Sequence, residues 1–95
     1  MDAEADGANA IKWEKSAKIK FDLMIAQIPV FLRGAAQAKV LKKVENIVNQ
    51  ENRLEVREKD MIDAFFAETP FGFHGPMKTD MRQLGIDYTK YGYDT

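Results

Sequence analysis

Pro29 stands in the middle of an apolar helical stripe, and the run Ile28-Pro29-Val30-Phe31-Leu32-Arg33 obliges the chain to turn there. Upstream, Trp13, Ala17, Phe21, Met24, Ile25 and Ile28 are spaced by four, four, three, one and three, which is one face of a helix. A proline ring crowds the backbone of the residue before it, so this helix is expected over 12–28. The same ring, with φ preset and no N–H to leave unpaired, suits a first helical turn. A second helix is therefore expected over 29–50, with Phe31, Leu32, Ala35, Ala36, Val40, Leu41, Val44, Ile47 and Val48 as its apolar residues. Gly34 and the alanines at 35, 36 and 38 leave a narrow early turn that another helix can approach closely.

Residues 49–57 are polar and read as a connection, with Val56 tucked inward. A third helix is expected over 58–68, with Met61, Ile62, Phe65 and Phe66 inside and the acids Glu58 and Asp60 in its positive first turn. Thr69-Pro70 ends it. Beyond lies a different kind of sequence, 69–95, in which Gly, Pro and rings mix without period around a short helical stretch over 78–84. Such a tail is ordered only if its rings find a surface, on its own helices or on a partner. Residues 1–10 are small and acidic and are expected to be disordered. The fold class is all-α, a short–long–short three-helix domain with an irregular aromatic C-terminal tail.

Ninety-five residues suffice for one domain, which buries roughly 60–65% of its unfolded surface. The absence of cysteine excludes disulfides, Fe–S ligation and thiolate zinc within the chain. No apolar run reaches the ~20 residues of a membrane span. Residues 1–10 hold Asp2, Glu4 and Asp6 and lack the basic and apolar parts of a secretory signal. Together these give the expectation of a cytoplasmic protein with no membrane contact. Residues 12–59 hold eleven basic and six acidic side chains, yet lysines dominate and both ends are acidic. A nucleic-acid partner, in a histone-like unit, is the less favoured alternative on that balance.

Trp13, Ala17, Ile28-Pro29, Phe31, Arg33, Glu45 and the helix carrying Asp60 to Ala64 form a pattern. It resembles the PCP_red-like domain, the small helical domain at the C-terminus of the B subunit of light-independent protochlorophyllide reductase. The resemblance covers about residues 11–66. Glu45 lies about one helical turn further along than the family's glutamate, and Val56-Arg57 replaces its Ile-Thr. The likeness implies a helical accessory element attached to a larger redox enzyme, whose Fe–S cluster and tetrapyrrole chemistry lie in another part of that enzyme.

No residue set suggests catalysis. His74 is the single histidine, so with no cysteine a zinc site would have to take its other ligands from carboxylates, whereas one histidine is enough for an axial ligand to a tetrapyrrole. Asp60 and Asp63 read as a solvated face, and neither is assigned a catalytic role. Arg33 either ties the two helix ends together or grips a carboxylate of a partner. No cofactor and no metal is expected. The expected function is a non-catalytic accessory or regulatory subunit that binds a larger protein, or pairs with a second copy. The expected contacts are Phe31, Arg33, Phe71, Phe73, His74, Tyr88, Tyr91 and Tyr93, rings being enriched at interfaces.

Overall fold

The structure, a computed structural model, describes residues 11–95. The expected disorder of residues 1–10 lies outside the described residues. The chain opens with a short strand, β1 (Lys12–Trp13), and continues through α1 (Lys15–Ala26) and α2 (Val30–Gln50). A second short strand, β2 (Glu55–Val56), leads into α3 (Glu58–Glu68) and then α4 (His74–Gln83). One-turn 3₁₀ segments precede and follow α4, at Phe71–Phe73 and Tyr88–Tyr91. The all-α class holds, with one small parallel pairing added.

That pairing corrects the first helix boundary. Trp13 is extended rather than helical, because Lys12 N–H donates to Leu54 C=O and Glu14 N–H to Val56 C=O, both at 2.9 Å. The register sets Lys12 against Glu55 and Trp13 against Val56. Backbone partners forty residues away outweigh the local helical period here. At the other end α1 stops at Ala26, two residues early, and the chain turns through 27–29 before α2 begins.

Arg33 shows why that junction is tight. Its guanidinium donates to Ala26 C=O at 3.1 Å and to Ile28 C=O at 2.9 Å, carbonyls left without helical partners where α1 ends. The arginine ties the two helix ends together as a positive cap on the negative end of α1, the first of its two expected roles.

The core forms where α1, α3 and the second half of α2 meet. Phe21, Val44, Val48, Val56, Met61 and Ile62 are all buried there. A ring chain runs through it, from Trp13 to Phe21 at 4.9 Å and from Phe21 to Phe65 at 5.7 Å between centroids. α2 contributes Val40, Val44 and Val48, all from its later half, so its first ten residues project beyond the packed region.

The C-terminal tail finds its surface on its own helices, one of the two alternatives expected, with Met77, Met81, Ile86 and Tyr88 buried in the same core. Its helix, α4, is longer than the expected 78–84 stretch and covers ten residues. Gly85, at φ +75°, supplies the left-handed turn that ends α4, and Ile86 N–H closes it on Met81 C=O at 2.8 Å.

Asp60 corrects another expectation, being 4% exposed rather than on a solvated face. Its carboxylate accepts two hydrogen bonds from the Arg53 guanidinium, at 2.6 and 2.9 Å, and one from Arg57 N–H at 2.8 Å. The last bond caps the start of α3, and Arg57 has no acceptor with which to return it. Burial pushes the Asp60 carboxyl up, but Arg53 and the Arg57 amide outweigh it and hold the group below its ordinary 3.8. Glu58 is held below its ordinary 4.5 in the same way, burial being outweighed by Lys20 and Tyr91. A carboxyl whose pKa falls on folding adds stability above its unfolded pKa and loses it as pH falls through the folded one. Melting temperature should therefore be level from neutral pH to about pH 5 and fall below about pH 4. Asp60→Asn should cost about 1–3 kcal/mol at neutral pH and flatten that acid slope in a pH series of thermal melts.

Candidate functional site

The projecting first half of α2 leaves an open apolar cleft. One wall is Met24, Ile28, Pro29, Leu32, Ala35, Ala36 and Val40, from the α1–α2 junction and the start of α2. The other is Phe65, Thr69, Pro70, Phe73, Pro76 and Met77, from the end of α3 and α4. The small residues at 35 and 36 leave the space, about 580 Å³, within the range of ligand and peptide sites. Its charged lining residues are Lys39 on the α2 wall and Glu68 and Asp80 opposite.

Apolar side chains stand out from both lips. Val30 and Phe31 are 75% and 82% exposed, and Phe71 and Phe73 are 88% and 63% exposed. An exposed ring by itself needs no explanation, but this group is contiguous with an apolar cleft, and such patches mark interaction surfaces. Phe31, Phe71 and Phe73 are the sequence-derived contacts that the structure leaves available.

The other candidates are engaged internally. Tyr88 is buried, its hydroxyl accepting from Arg82 at 2.5 Å, so its assignment as a partner contact is corrected. Tyr91 donates to Glu58 at 2.7 Å and Tyr93 to Asp63 at 2.5 Å, which fastens the tail to α3. Burial and the Glu58 carboxylate push the Tyr91 phenol up to about 12, so it remains a neutral donor at physiological pH. Tyr93 also stacks on Phe66 at 3.9 Å.

His74 begins α4 between two rings, edge-on to Phe66 at 5.2 Å and beside Phe71 at 5.4 Å. Its Nε2 lies 2.9 Å from Thr69 C=O, which can only accept, so the proton sits on Nε2. This leaves Nδ1 as the one ring nitrogen without that bond. Among the described residues no cluster of three or more His, Asp or Glu is arranged to hold a metal.

The feature that sequence reading missed is the cleft itself. Its only signal was the run of small residues from Gly34 to Ala38, read as a place for a helix to approach. In the structure, a Cβ built on Gly34 would meet nothing within 4 Å.

Comparison with known proteins adds one relative. The chain is 28% identical over 79 residues to "Membrane protein YneK" of Bacillus subtilis (strain 168), a match covering 83% of this chain and 56% of that protein. The chain thus spans a little over half the length of the relative it matches. No family's sequence model matches the chain, and neither does any solved structure. The expectation that a membrane plays no part is corrected by this match. No described helix is long and apolar enough to cross a membrane.

Proposed function

We propose that the chain is a non-catalytic accessory module that works at the cytoplasmic face of a membrane, where its apolar cleft receives an element of a membrane-held protein. The observation that carries this reading is the cleft, open and mostly apolar, with the exposed Phe73 in its wall. The printed name of the Bacillus relative supports the membrane setting. That the companion is a redox enzyme rests on the resemblance of residues 11–66 to the reductase domain.

Retention of the purified full-length chain on washed native membranes tests the proposal. Wild type is expected in the pellet, and Phe73→Asp, which puts a charge on the cleft wall without touching the core, in the supernatant. A wild-type chain that stays in the supernatant overturns the reading, and so does equal retention of a folded Phe73→Asp variant.

A further inference from the structure

We infer that the outward face of α2, led by Phe31, is a contact surface for an anionic lipid bilayer, an inference that rests on the membrane-side reading above. α2 turns Val40, Val44 and Val48 into the core. On its other side Phe31, Ala35, Lys39 and Lys42 recur at intervals of four, four and three, and all four are exposed. At about 1.5 Å per residue, the lysines stand roughly 12 and 16 Å along the helix from the phenylalanine.

The stripe thus begins with an apolar tip, Val30 and Phe31, passes over small residues and ends in two cations. Helices that lie in a membrane interface divide their surface in this way. Rings and aliphatic groups enter the boundary between headgroups and acyl chains, and lysines reach anionic headgroups. Among the described residues, the ion pairs engage Lys18, Lys20, Arg53, Arg57 and Lys59, and none of them uses Lys39 or Lys42. Glu68 and Asp80 lie across the cleft from this stripe.

A protein partner fits the stripe less well, because lysine is depleted from protein interfaces while rings are enriched. The two surfaces adjoin, because Ala35 and Lys39 also line the α2 wall of the cleft. The cleft takes a protein element, and the exposed stripe along its rim takes lipid. Phe71, on the opposite lip, gives a second apolar point that can enter the same surface.

Sedimentation of the full chain with protein-free vesicles tests this, using phosphatidylcholine alone and phosphatidylcholine mixed with phosphatidylglycerol. Binding is expected to the anionic vesicles, to weaken with added salt, and to be slight on the neutral ones. The double variant Lys39→Gln, Lys42→Gln should lose roughly tenfold or more in vesicle affinity. Phe31→Ser should also weaken binding, and circular dichroism should show both variants folded, since none of these side chains is buried. Equal binding to neutral vesicles, or an unaffected lysine variant, overturns the inference. A chain retained by native membranes but indifferent to protein-free vesicles overturns it while leaving the accessory reading intact. Phe73→Asp should leave vesicle binding unchanged.

Discussion

A chain ended at Thr69 should not fold. The missing segment carries Met77, Met81, Ile86 and Tyr88, each buried against helices that would remain. Burying a side chain of this kind contributes about 1.5–3 kcal/mol. Four of them are comparable with the 5–15 kcal/mol that holds a typical domain together. The truncation also uncovers Phe66, which stacks on Tyr93, and leaves Glu58 and Asp63 without their tyrosine donors. Far-ultraviolet circular dichroism and the width of amide proton dispersion should both report an unfolded or molten chain. A cooperative melt from the truncated chain would show that α1 to α3 form a core by themselves, which the burial pattern opposes.

Phe66→Ala should be the most damaging single substitution at the junction between α3 and the tail. The Phe66 ring touches three tail rings at once, stacked on Tyr93, edge-on to His74 and tilted against Tyr88 at 5.8 Å. Removing it opens a cavity and cuts ring contacts that add to simple area burial. A loss of about 3–4 kcal/mol is expected, within the range for buried phenylalanine. For a domain of this size that lowers Tm by roughly 15 °C or more. Hydrogen exchange should show residues 86–93 losing protection before α2 does, because Tyr91 and Tyr93 fasten this segment to α3 through Glu58, Asp63 and the Phe66 ring. Uniform loss of protection would mean that the tail and the three helices open as one unit.

The three helices were legible because each carries its own periodic signal. The proline at 29 marks one boundary, and the α3 limits agree with the expected 58–68. The tail was less legible. Its rings have no period, because Met77, Met81, Ile86 and Tyr88 reach the core from a helix, a turn and a 3₁₀ segment in succession. Asp60 was read as solvated because its partner, Arg53, lies in a loop seven residues back, outside any helical spacing. Of the contact candidates, Phe31 was marked by the run from Ile28 to Arg33 and Phe71 and Phe73 by the aromatic character of the tail, and all three stand exposed. Tyr88, equally aromatic, faces inward, and nothing local distinguishes it from them.

Local chemistry decided that residues 15–26, 30–50 and 58–68 are helical and which stripe of each is apolar, since backbone preference and side-chain period act over a few residues. The tertiary structure alone decided that Trp13 joins a strand, that the tail completes the core, and that the first half of α2 is left uncovered. Those outcomes depend on partners thirty or forty positions away, which compete for the same buried surface and unpaired amides, and no short window of sequence records which of them prevails.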